Sequence, residues 1–228
     1  HWNVYISDKL TGPEYAEGKV NELLEHNPNV VYSDKLHLGV SLRSFRAERL
    51  SAFVHSLLSF NPDAAELYKN VVSHGYPIVL TRSMDKARKW LRQQARGTQQ
   101  TGILISKVSA RFKPLAVHVL PQSEDNAVHW FLEDKTDVRS SNYLEEAATE
   151  IQVQGLEVDF VCVLWDADMR YDNGKWTFWK FNGKTQWTPE KNYEPQKYML
   201  NAYRVLLTRA RQGMVICVPK GNERTTHV

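Results

Sequence analysis

The sequence is short of several features that would narrow its function at once. It has only two cysteines, Cys162 and Cys217, each inside an apolar β-like run ("DFVCVLW", "MVICVP"). Cysteines so placed read as reduced core residues, which fits the cytosol better than a secreted, disulfide-held protein. The eight histidines are scattered, and none stands at ligand spacing with a second histidine or a cysteine, so no zinc array is expected. No apolar run approaches the ~20 residues of a membrane span, and no signal peptide is visible. No membrane partner and a cytoplasmic location are therefore expected. There is no G-x-x-x-x-G-K-S/T loop, which excludes a triphosphate cradle of the usual kind. G-x-S-x-G and G-x-G-x-x-G are missing too, as are repeats and low-complexity tracts. Excess charge is small: 29 Lys and Arg face 26 Asp and Glu, a net +3. That permits a polyanion partner without requiring one. The first residue is His1, not methionine, so we expect a piece of a longer protein, with residues 1–35 a lead-in from a missing or preceding domain.

What is present is an alternation of helical and strand-like runs in a chain of 228 residues that is 42% hydrophobic, enough to bury a core. One helix is expected near 14–26. "LHLGVSL" (36–42) reads as a strand, and "AERLSAFVHSLLSF" places Leu50, Phe53, Val54, Leu57 and Leu58 at helical spacing. "NPDAAELYKNVVSHG" has helix start and stop signals. "YPIVLTR" (76–82) reads as a short buried strand, and Ser83 caps a helix to about residue 95. "TGILIS" and "PLAVHVL" read as strands. "DFVCVLWDAD" is apolar throughout its strand portion, as in a central strand covered on both faces. "MRYDNGKWTFWKFNGKTQW" predicts a β-hairpin turning at "DNG". A helix over about 194–211 and a last strand "GMVICVP" close the pattern. The fold class expected is α/β, three-layered, with a mainly parallel sheet and a β-hairpin insertion over about 167–192.

Three clusters put arginine or an acid beside a strand end. "LGVSLRSFRAERL" offers Arg43, Arg46 and Arg49. "TEIQVQGLEVDFVCVLW" offers Gln154, Gly155 and Glu157, where glycine allows close backbone approach and the polar side chains can hydrogen-bond sugar or phosphate. "MLNAYRVLLTRARQG" (199–213) offers Arg204, Arg209 and Arg211. Each has a plainer reading. Arginines on a helix usually form a solvated, ion-paired face, and Met199, Tyr203, Leu206 and Ala210 read as a core stripe. Asp166 and Asp168 imitate a metal-binding pair, and with Glu157 they would make a metal nuclease, but they also suit the start of a loop. Trp176, Phe178 and Trp179 with Lys175 and Lys180 read either as a stacking platform for single strands or as one packed hairpin face.

Together "LGVSLRS", "TEIQVQGLEVD" and "NAYRVLLTRAR" resemble motifs IV, V and VI of superfamily 1 helicases, and "YPIVLTRS" resembles the strand between motifs IV and V. The texture is closest to helicase-like ATPases related to the Schlafen C-terminal domain. The resemblance covers roughly 36–218. It implies the second RecA-like domain (P-loop NTPase-type fold, residues 36–220) of a nucleic-acid helicase or translocase, with the phosphate loop on a missing N-terminal RecA-like domain. It also implies DNA or RNA as a partner, and ATP and Mg²⁺ as cofactors of the full-length parent but not of this piece alone. Arg209 and Arg43 would be catalytic, with Arg46 in place of Arg43 if the register slips. Gln154, Gly155, Glu157 and Arg46 would lie at the nucleotide, and Arg82, Thr149 and Gln152 at the nucleic acid. Gln152 stands near a place where motif V usually has histidine or lysine. An arginine fork matches phosphate oxygens and keeps its charge at every working pH. The other reading is a non-catalytic nucleic-acid-binding or regulatory domain that keeps the helicase-like fold.

Overall fold

Residues 2–8, 20–24, 26–36, 45–109, 112–182 and 186–220 are described by the structure, a computed structural model. The chain divides into two units, residues 1–44 and 45–228. In the first, strands β1 (Val4–Ile6) and β2 (Val30–Tyr32) pair in parallel, with helix α1 (Val20–Leu24) between them in sequence. A parallel pair needs such a crossover, because no tight turn can join its ends. The strand expected over 36–42 lies, from His37 onward, outside the described residues, and Arg43 lies there too.

The second unit is built on a six-stranded sheet in the order β3-β11-β7-β4-β6-β5. Its members are β3 (Ile78–Thr81), β4 (Thr101–Ile105), β5 (His118–Val119), β6 (Glu146–Thr149), β7 (Val158–Leu164) and β11 (Ala210–Cys217), and all their pairings are parallel. Side-chain alternation divides the core in two. Leu104, Val161, Val163 and Met214 point to the face covered by helices α2 (Phe45–Leu58), α3 (Ala64–Ser73), α5 (Glu124–Leu132) and α6 (Tyr193–Leu207). Ile103, Ile105, Cys162, Leu164, Val215 and Cys217 point to the other face, where helix α4 (Met84–Gln94) lays down Met84, Ala87 and Leu91. The result is the expected three-layer α/β fold in a RecA-like arrangement. β7 is buried along its whole length, as an apolar strand covered on both faces must be. Both cysteines are buried and free.

The expected hairpin is a three-stranded antiparallel sheet of β8 (Met169–Asp172), β9 (Lys175–Asn182) and β10 (Gln186–Pro189). Asn173 and Gly174 both have positive φ at its first turn, as a two-residue primed turn demands. Ser83 caps α4, accepting from the Lys86 amide at 3.4 Å.

Several expectations need correction. β3 is an edge strand rather than a buried one, and Leu80 is 72% exposed. "PLAVHVL" is mostly not strand: Pro114 opens a 3₁₀ turn (Lys113–Leu115), Ala116 adopts φ +51°, and only His118–Val119 pair. Arg88 of α4 holds that turn by donating to the carbonyls of Leu144, Leu115 and Ala116. α5 and β6 are unannounced by the sequence reading. The helix expected to run to about 211 ends at Leu207.

Candidate functional site

The end of α6 sets the geometry of the arginine-rich stretch. Thr208 donates its hydroxyl to the carbonyls of Arg204 (2.9 Å) and Val205 (3.1 Å), and the Thr208 amide reaches Val205 at 3.1 Å. Those bonds satisfy the open carbonyls of the last turn and stop the helix. The Arg209 carbonyl then accepts from the Val158 amide at 3.0 Å, so the next residues enter the sheet. The three arginines therefore do not share one helix. Arg204 remains on α6 and binds Asn201 Oδ1 at 2.6 Å. Arg209 occupies the turn and is 8% exposed. Arg211 lies on β11 and pairs with Asp159 at 3.1 Å. Ala210 belongs to the strand, and only Met199, Tyr203 and Leu206 of the predicted stripe are helical.

The segment from β6 to β7 meets that turn. After β6 the Gln152 side chain folds back. Its oxygen accepts from the Thr149 amide (2.9 Å) and hydroxyl (3.1 Å), and its nitrogen donates to the carbonyls of Leu120 (3.0 Å) and Pro121 (3.3 Å). Thr149 and Gln152 thus clasp the loop to the chain after β5. Gly155 has φ +80°, and open space surrounds the position of a Cβ. The glycine there serves backbone conformation rather than close approach. Glu157 follows, and its neighbour Val158 makes the bond to Arg209. Glu157 and Arg209, far apart in sequence, thereby stand at the amino end of β7 and β11, and Gln154 lies further back along the connection from β6. Gln154 also lines a cavity of about 450 Å³, with Lys107, Glu150, Lys180, Tyr198 and Asn201 around it.

Other candidates lie elsewhere. Arg82 follows the carboxyl end of β3, which pairs with the end of β11. It is therefore separated from Arg209 by the length of β11, roughly 25 Å at ~3.3 Å per residue. Arg46 stands in the first turn of α2. The hairpin aromatics divide between two faces of β9. Trp176 and Phe178 pack against the core, with the Trp176 indole donating to Leu58 at 3.0 Å and stacked on Phe60 at 5.0 Å. Trp179 receives the Arg170 guanidinium at 4.3 Å, and Lys180 pairs with Glu190.

Asp166 and Asp168 are buried just past the carboxyl end of β7. Tyr203 of α6 donates to Asp168 Oδ1 at 2.5 Å and accepts from the Asp166 amide at 3.3 Å, which ties the helix to the strand end. Burial pushes the Asp168 carboxyl up to about 6, against the pull of the Tyr203 hydroxyl. The Tyr203 hydroxyl is itself pushed well up by burial and by the Asp168 charge. Glu157 stands at the other end of β7, roughly 20 Å or more away at ~3.3 Å per residue. The metal-nuclease reading needs all three acids at one ion and fails on that distance.

The family model described as "Schlafen group 3, DNA/RNA helicase domain" matches residues 8–220. The chain belongs to that family. A search of curated proteins and a search of solved structures each found no match. Among the described residues of this Schlafen-type helicase domain, no helix is long and apolar enough to cross a membrane. The missed structural residue of the site is Asp159. Its acid sits inside "GLEVDF", and it accepts from Gln100 N (2.9 Å), Gln212 Nε2 (2.8 Å) and Arg211. The signal was a charge placed in an otherwise apolar run, which implies a buried partner.

Proposed function

We propose that this Schlafen-type helicase domain is the second motor half of an ATP-dependent nucleic-acid translocase. Arg209 acts as the arginine finger, and Gln154, Gly155 and Glu157 form the adjoining rim of a nucleotide cleft. The observation that carries the reading is the Val158–Arg209 backbone bond, because it holds the Gly-Leu-Glu segment against the arginine turn. ATP with Mg²⁺ would supply the phosphoryl group and its charge neutralisation. This chain's residues fit only one side of that ligand, since they offer a guanidinium fork and a carboxylate but no phosphate loop. A second RecA-like domain of the same protein would hold the triphosphate. The resemblance implies Arg43 and Arg46 as further nucleotide-site residues; Arg43 lies outside the described residues. Arg82, with Thr149 and Gln152 shaping their loop, would face DNA or RNA.

A finger stabilises charge that develops in the transition state and is worth about 10³–10⁵ in rate in phosphoryl transfer. The test is ATP turnover by the isolated chain and by the longer protein that contains it, with and without single-stranded DNA or RNA. The isolated chain should be inactive, because half a cleft positions neither phosphate nor metal. The longer protein should turn over ATP and be stimulated by nucleic acid. No turnover by the longer protein would point to the second reading, a nucleic-acid-binding or regulatory domain that keeps the fold. The burial of Arg209 favours that second reading, since a finger has to reach out of its turn.

A further inference from the structure

The last turn of α5 and the loop after it bring three metal-binding side chains together near the amino end of the sheet, the end that also carries Glu157 and Arg209. His129 and Glu133 stand four residues apart, so they share one helix face. Their side chains are already in contact, His129 Nδ1 to Glu133 Oε1 at 3.2 Å. Asp137 comes from the loop, and one donor atom from each of the three lies within 4.8 Å of the others. All three are half-buried, so the cluster is open to an ion from solvent yet backed by protein.

The supporting loop is held independently of any ion. Ser140 donates its hydroxyl to the Glu133 carbonyl (2.8 Å) and its amide to the Asp137 carbonyl (3.0 Å). Asp134 accepts from the Thr136 amide and hydroxyl, and Lys135 donates to the Gly97 carbonyl. Asp134 and Lys135 are therefore engaged away from the cluster, whereas Arg139 is bonded into it. Arg139 donates to both Asp137 oxygens, at 3.0 and 2.6 Å. The Arg139 amide adds a third bond, to Asp137 Oδ1 at 2.8 Å; a carboxylate has about four acceptor positions, so these bonds orient Asp137 and leave about one position open.

We propose that His129, Glu133 and Asp137 bind one divalent transition-metal ion. One imidazole and two carboxylates suit a borderline cation, Zn²⁺ first and Mn²⁺ second. Zinc bonds of ~2.0–2.2 Å in a tetrahedron put donors ~3.3 Å apart. The His129–Glu133 contact already has that spacing, and for Asp137 the ion competes with Arg139. Two carboxylates and a neutral imidazole outweigh the single Arg139 charge, which leaves the cluster attractive to a dication. A fourth position is left for water, so the site would tie α5 to its loop rather than close completely.

The experiment is calorimetric titration of ZnCl₂ into the whole chain after EDTA stripping, compared with His129→Ala, Glu133→Gln and Arg139→Ala, with circular dichroism to check folding. The expected result is one zinc per chain, a loss of about tenfold or more in affinity for His129→Ala and Glu133→Gln, and binding retained in Arg139→Ala. Glu133→Gln, on a partly exposed side chain, keeps the test valid should His129→Ala not fold. No zinc binding by the unaltered chain, or the same stoichiometry and affinity in Glu133→Gln, would overturn the proposal.

Discussion

Asp159 and Arg211 form an ion pair whose two members are unequal. Asp159 is 6% exposed and satisfies the Gln100 amide and the Gln212 side chain as well as Arg211, whose own side chain is 52% exposed. Removing the acid leaves buried donors without an acceptor, whereas removing the arginine loses one screened contact. Asp159→Ala should cost about 2–3 kcal/mol and Arg211→Ala only about 0–1 kcal/mol. Denaturant unfolding of both variants checks the order, and equal losses would contradict it. Asp168 adds a pH dependence. An unfolded aspartate titrates near 3.9, while burial raises the folded group to about 6. Between those values the folded chain binds more protons, so this group's contribution is fully present below about pH 4 and lost as pH rises through 6. Asp168→Asn carries no such charge and keeps an acceptor for Tyr203. The melting temperature of Asp168→Asn should therefore rise relative to the parent chain between pH 5 and 7. A constant difference across that range would refute the cause given.

Among the elements, the β6–β7 connection depends most on backbone conformation. Gly155→Ala forces a Cβ onto φ +80° with no clash to relieve. It should cost about 1–2 kcal/mol through the backbone alone, and Gly155→Asn should cost less because asparagine tolerates the left-handed region. Similar losses for both in thermal unfolding would mean the cost lies elsewhere. This connection also marks where the sequence was readable. β7 and α2 were legible because apolar burial writes its period directly into residue choice. The "DNG" turn was legible because few residues accept its dihedrals. β6 was not: "EEAATE" has the composition of a helix, and only its place between β4 and β5 makes it a strand. The end of α6 was misread because the Thr208 hydroxyl and the pairing of Val158 with Arg209 are tertiary events that no local period announces. The Gln154–Glu157 and Arg209 motifs were visible as short strings. Their meeting depends on β7 and β11 lying side by side. The His129–Glu133 spacing was also present in the string, but Asp137 joins it only through the path of the loop.

At the scale of the whole molecule, one sheet separates two ends with different contents. The amino end of β7 and β11 carries Glu157 and Arg209, while the carboxyl end carries the buried acids and their tyrosine. The motor reading depends on the first of these ends facing a nucleotide. Its most direct test is Arg209→Ala and Arg209→Lys in the longer, ATP-hydrolysing parent that the proposal requires, with turnover, nucleotide binding and thermal melting measured side by side. An arginine finger acts on the transition state, so Arg209→Ala should lower turnover by about 10³-fold or more while nucleotide affinity changes little, and the melting temperature separates this from the stability lost by truncating a buried side chain. Arg209→Lys should fail nearly as badly, because an ammonium keeps the charge but loses the planar fork. Near-normal turnover in a well-folded Arg209→Ala protein would contradict the account, and Arg209 would then be a structural residue of the α6–β11 turn.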